Sequence, residues 1–211
     1  MTVTPWERFG AREKLAETSD VSVRLYFEGT NGLRKPMKSF LLRGLGSING
    51  RLDAIAGGGR EQTTSVFRAA LSQHRKSFLV LLLDSEVEYH DGLRAEATRK
   101  VGAKVRRDQI FWMVQSMEAW FLADPQALHD YYRRGLREKA LPTNRNVEEI
   151  GKRDLLRSLN DATRTTGPGP YLDNKAAHAI ELLKILNPGR VRAAAPKCEE
   201  LFRVLQQKLV R

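Results

Sequence analysis

Two apolar stretches set the architecture before any single residue is considered. Val21-Ser-Val-Arg-Leu-Tyr-Phe27 alternates apolar with polar positions, and Phe78 to Leu83 is apolar without a break. The first predicts a strand, and the second a strand buried on both faces, as in a parallel sheet. Between them the spacing predicts a helix opening near Pro36 and carrying Met37, Phe40, Leu41 and Leu45. A weaker strand follows at Leu52 to Ala56, ended by Gly57-Gly58-Gly59. The next helix runs from about Glu61 to His74 with Val66, Phe67, Ala70 and Leu71 on one face. Beyond Glu86 the pattern predicts a basic helix near Leu93 to Val101, a strand from Gln109 to Val114, and a helical segment from Gln115 to Asp124.

From there the chain reads as helices alone. Asp124-Pro125 is a cap and first turn, and Asn146 with Glu149 resembles a capping box that opens a helix through Leu155, Leu156 and Leu159. Thr166 to Pro170 is a loop. A helix starting at Asp173 or Asn174 ends at Leu186, before Asn187-Pro188. The last begins at Pro196 and turns Cys198, Leu201, Phe202, Leu205 and Leu209 inward. The expected fold is α/β: a lead-in over 1–20, a Rossmann-like core with a mostly parallel sheet over 21–124, and a C-terminal helical region over 125–211.

Composition narrows this without changing it. A hydrophobic content of 41% supports a packed core rather than disorder. The lone Cys198 excludes an internal disulfide and a cysteine-based zinc site. No apolar run is long enough to span a bilayer, and the mixed charges of the first twenty residues do not read as a secretory signal. A soluble, cytoplasmic protein is the expectation.

Charge changes the picture more. A formal net charge of +11 and a pI near 10.0 point to a polyanionic partner, usually nucleic acid. Arg99, Lys100, Lys104, Arg106 and Arg107 crowd one stretch, and Arg133, Arg134, Arg137 and Lys139 another. The first is a candidate phosphate-contacting surface; a solvated face is the plain alternative for either. Gly57-Gly58-Gly59-Arg60 lacks the Gly-Lys-Ser/Thr ending of a phosphate-binding loop, so the chain is not expected to hydrolyse ATP by itself.

Against this basic background stand a few well-placed acids. Glu28-Gly29 follows the first predicted strand, and Asp84-Ser85-Glu86 follows the third. Carboxyl ends of strands are where open parallel sheets bind ligands. Converging carboxylates there repel unless a cation lies between them, and hard oxygen donors favour Mg2+ or Mn2+. Glu118, after the fourth strand, is a further metal-site candidate, or else pairs with a nearby arginine. Lys175 and His178 lie one helical turn apart, either as a phosphate-binding pair or on a solvated face. Trp120 reads as core.

The pattern of Glu28-Gly29 and Asp84-Ser85-Glu86 over residues 21–124 resembles the Toprim fold, whose second motif is usually Asp-x-Asp; here the second acid is Glu. Met117-Glu118-Ala-Trp120-Phe-Leu-Ala-Asp124 and Tyr171-Leu-Asp-Asn-Lys175-Ala-Ala-His178 make the chain similar to a Toprim-like bacterial family catalogued as domain of unknown function 4276. The resemblance implies a magnesium-dependent nuclease acting on DNA or RNA, with transfer RNA one substrate to consider. Glu28, Asp84 and Glu86 would be its catalytic and metal-binding acids, and Glu118 a fourth ligand. Lys175 would join the nucleic-acid contacts. It also implies an effector of anti-phage defence controlled by an AAA- or ABC-type ATPase. A non-catalytic nucleic-acid- or nucleotide-sensing subunit is the alternative.

Overall fold

Four parallel strands form one sheet in the order β2-β1-β3-β4: β1 is Ser22–Phe27, β2 Arg51–Ala56, β3 Ser77–Asp84 and β4 Ile110–Met113. The structure is a computed structural model that describes residues 21–102 and 104–210. The predicted lead-in over 1–20 lies outside the described residues. Helix α1 (Arg34–Leu45) joins β1 to β2, α2 (Arg60–Gln73) joins β2 to β3, and α3 (Asp91–Val101) joins β3 to β4. Six further helices follow: α4 (Glu118–Leu122), α5 (Pro125–Tyr132), α6 (Lys152–Thr163), α7 (Lys175–Ile185), α8 (Pro188–Ala194) and α9 (Pro196–Leu209). No helix among the described residues is long and apolar enough to cross a membrane.

The two-residue period of the strands divides the core into two layers. Val23, Leu25 and Phe27 of β1, Val80 and Leu82 of β3, and Phe111 and Met113 of β4 share one cluster with α1 and the C-terminal helices. Tyr26, Leu79, Leu81, Leu83, Ile110 and Trp112 face the other way, onto Phe67 and Ala70 of α2 and Leu93, Ala97 and Val101 of α3. Burial on both sides explains why β3 is apolar throughout, since each such side chain contributes roughly 1.5–3 kcal/mol when removed from water. The C-terminal helices form the second layer on the sheet and share its core: Phe202 of α9 lies against Phe40 of α1, centroids 5.8 Å apart, and Phe40 stacks on Trp120 at 5.4 Å. Trp120 is fully buried, as its place in the pattern predicts.

Several boundaries differ from expectation for identifiable reasons. Asn146 caps a single 3-10 turn, Val147–Glu149, and donates from Nδ2 to the Glu149 carboxylate, so α6 begins only after Gly151. Asn187-Pro188 starts a helix as well as ending one. The Asn187 side chain accepts from the Gly189 and Arg190 N–H groups, and Pro188 takes the first helical position of α8. On α2, Val66 is 40% exposed, and the buried face is Thr63, Phe67 and Ala70.

Arg133, which ends α5, has φ 54° and ψ −122°, a conformation that suits glycine and costs a side chain on the order of 1 kcal/mol or more. The residue is exposed, and its N–H bonds the His129 carbonyl at 2.8 Å, a contact glycine preserves. Arg133→Gly is therefore expected to stabilise the protein by about 1 kcal/mol, raising the melting temperature by roughly 2–4 °C. A thermal melt of the two proteins checks it.

Candidate functional site

β1 and β3 are hydrogen-bonded neighbours, but the chain leaves them over opposite faces of the sheet. Helix α1 packs on one layer, α2 and α3 on the other. The carboxyl ends of such a pair open a crevice where ligands bind in open α/β sheets. Register places the two acidic motifs in it. Phe27 pairs with Leu82, and the Glu28 N–H bonds the Leu82 carbonyl at 3.3 Å, so Asp84 stands one residue beyond the level of Glu28. The loops above are drawn tight by an antiparallel bridge between Gly29 and Gly58 (N–H···O 2.9 and 3.0 Å). Gly58 holds φ 87°, and a Cβ there would come within 2.4 Å of Gln62 Oε1.

Asp84 is the centre of the electrostatics. Its Oδ1 accepts the Met117 N–H at 3.1 Å, and its backbone carbonyl accepts from the Arg60 guanidinium. Enclosure by protein, then the charges of Glu28, Glu118 and Glu86, hold its carboxyl well above the usual range, and Lys152 offsets only part of this. Oδ2 accepts no hydrogen bond from a described residue. Each surrounding glutamate, by contrast, has a base. Arg60 Nε donates to Glu28 Oε1 at 3.1 Å, although burial still pushes the Glu28 carboxyl up. Lys152 holds Glu86. Lys175 Nζ lies 2.9 Å from Glu118 Oε1, which also accepts the Tyr171 hydroxyl at 3.1 Å. Burial alone would raise Glu118, but the ion pair with Lys175 brings it below the ordinary value. Burial, then the adjacent Glu118 charge, pushes the Tyr171 phenol far up, so the hydroxyl remains a donor.

Glu28, Asp84, Glu118, Tyr171 and Lys175 line a cleft of about 370 Å³ whose apolar wall includes Leu33, Met117 and Phe121. The two segments that carry the family likeness, 117–124 and 171–178, thus meet at Glu118. Glu86 does not line this cleft. Its φ of 66° turns it out of the strand, its N–H bonds the Gln115 carbonyl at 2.9 Å, and its carboxylate goes to Lys152. Gln115 also has positive φ, 61°, so two non-glycine residues are strained side by side at the site. His178 is buried rather than solvated: its Nδ1 meets the Tyr131 hydroxyl at 3.1 Å, among Tyr131, Tyr132 and Tyr171.

The basic stretch does not gather at the acids. Arg106 sits over the Phe78 ring, at the amino end of β3, and pairs with Asp108 at 2.9 Å. Lys104 and Arg107 belong to the same connection into β4, and Arg99 and Lys100 to the last turn of α3. The bases at the acids are Arg60, Lys152 and Lys175, of which only Lys175 stood out in the sequence. Arg60 follows the glycine run, which was the available signal; nothing local marks Lys152.

Hard carboxylate oxygens and one half-buried aspartate without a base of its own suit a hard divalent cation in their chemistry. Among the described residues, however, no three His, Cys, Asp or Glu side chains form a ready ligand set, and Arg60, Lys152 and Lys175 each hold one of the glutamates. A cation at Asp84 would draw further ligands by displacing one of these bases.

The fold and cleft define the class: an open parallel α/β sheet with a base-compensated acidic crevice where its connections diverge. The chain belongs to the DUF4276 family, a domain of unknown function, whose family model matches residues 34–206. The match contains Asp84, Glu86, Glu118 and Lys175; Glu28 precedes it. No curated protein and no solved structure matches the chain.

Because the folded state raises the Asp84 pKa, folding is penalised once this carboxyl ionises. The penalty is absent at low pH and grows as pH rises above the ordinary value of 3.8, becoming complete above the folded-state value. Asp84→Asn keeps an oxygen for the Met117 N–H and removes the charge. In metal-free buffer the variant is expected to be more stable near pH 7, by on the order of 1 kcal/mol, with the difference closing toward pH 3–4. Chemical denaturation across that range measures it.

Proposed function

We propose that the chain is a metal-dependent phosphodiesterase acting on nucleic acid, a nuclease of Toprim-like build. One observation carries the reading: Asp84 stands half-buried at the carboxyl end of β3, in electrostatic range of three other acids, with one carboxylate oxygen that accepts no hydrogen bond from a described residue. Asp84, with Glu28 or Glu118, would hold Mg2+ or Mn2+, and Glu86 would join through movement of Lys152. The cation would supply charge neutralisation for a phosphodiester and its leaving oxygen. Lys175 lines the cleft and Arg60 holds Glu28 at its edge; both would bind and orient phosphate oxygens. Glu28, whose affinity for a proton is raised, is suited to accept one from an attacking water. Tyr171 fixes the Glu118 carboxylate.

The occupied glutamates favour a second reading, a nucleic-acid- or nucleotide-sensing subunit that binds without cutting. Control by an AAA- or ABC-type ATPase in phage defence belongs to either reading and rests on the family resemblance.

Labelled DNA and RNA incubated with the chain in Mg2+, Mn2+ or EDTA separate the two. The hydrolase reading expects cleavage in metal and none in EDTA, with Asp84→Asn slowing it by at least about 10²-fold. Binding in EDTA with no cleavage in either metal establishes the sensor.

A further inference from the structure

On the far side of Arg60 from the acidic cleft, a second groove runs between α2 and α3. It has a volume of about 280 Å³ and is lined by Arg60, Glu61, Thr64, Ser65, Arg68 and Lys100. Three cations and two hydroxyls face one acid. Arg68 is exposed and has no ion pair among the described residues. Lys100 is paired only with Glu96 at 2.8 Å, both side chains about half exposed, a contact worth little in water. Beside the groove lies a pit of about 20 Å³, enough for one water-sized group, where Arg60, Thr64, Lys100 and Trp112 meet Glu96 and the apolar Leu83, Leu93 and Ala97. Trp112 is 3% exposed, and its indole N–H has no acceptor.

Donors and positive charge therefore meet in the groove: two guanidinium groups, one ammonium and two hydroxyls. An oxygen-rich anion fits this set. Continuity says which one. Arg60 lines this groove while its Nε holds Glu28 and its guanidinium reaches the Asp84 carbonyl. The groove and the acidic cleft thus meet at one side chain, across the end of the sheet.

We propose that the α2–α3 groove is a seat for a backbone phosphate of a nucleic-acid strand, flanking the phosphodiester at the cleft. The choice of ligand rests on the nuclease reading; the groove's anion-binding character does not. This seat, rather than the Lys104–Arg107 connection at the other end of β3, takes the phosphate nearest the acids.

Fluorescence anisotropy with a labelled single-stranded 20-mer, as DNA and as RNA, tests it in EDTA across a salt series. Arg68 and Lys100 are exposed, so Arg68→Ala and Lys100→Ala leave the core intact, and circular dichroism melts check this. Each is expected to weaken binding roughly fivefold and to flatten the salt dependence by about 0.7 of a slope unit, the value of one phosphate contact on a single strand. A Lys104, Arg106, Arg107→Ala triple variant is the comparison. If that variant alone loses affinity, or Arg68→Ala and Lys100→Ala bind as tightly as the wild type with unchanged slope, the proposal fails. Loss of affinity in the groove variants, with no cleavage by any form in Mg2+ or Mn2+, keeps the seat and removes the hydrolase. Cleavage with undiminished affinity keeps the hydrolase and removes the seat.

Discussion

A carboxylate at the end of a strand buried on both faces has to be compensated, and much of this molecule is arranged around that need. Asp84 closes β3 half-buried, with three acids in electrostatic range. The first response is a backbone one: the turn into α4 offers the Met117 N–H. The second comes from bases remote in sequence, which neutralise the neighbouring glutamates instead of Asp84 itself. Positive φ at Glu86 and Gln115 is part of the same solution, since those residues tie the ends of β3 and β4 together.

Much of this was legible in the chain. The alternation of 21–27 and the unbroken apolar run of 78–83 reveal β1 and β3, and strict periodicity gives α1 and α9 almost residue for residue. Glu28, Asp84 and Glu118 are legible because acids at strand ends are conspicuous against apolar sequence. Their partners are not. Arg60 and Lys152 are two of 36 basic residues, and they pair across 32 and 66 positions, which only the strand order 2-1-3-4 brings together. Helix α8 was hidden for a different reason: Asn-Pro serves equally as a stop and as a cap with a first turn, and tertiary contacts decide.

Asp124 shows how one residue does both local and distant work. Its Oδ1 caps α5 at Ala127, as its place before Pro125 implies. The same carboxylate also accepts the Asn187 N–H at 2.8 Å and pairs with Arg190 at 2.6 Å, fixing the connection between α7 and α8. Only 3% of the Asp124 side chain is exposed, against 51% of Arg190, so the arginine reaches in from the surface to a buried carboxylate.

The meeting of Glu118 with Tyr171 and Lys175 has a consequence for how the protein comes into being. The acids arrive early in synthesis, but the wall that completes their cleft is made later, and α9, which covers β1 and β4, later still. A nascent chain carrying Glu28, Asp84 and Glu118 has the acids without their lid of aromatic and basic groups. Completion of the cleft is thereby tied to synthesis through Lys175, more than fifty residues after the last of its acids.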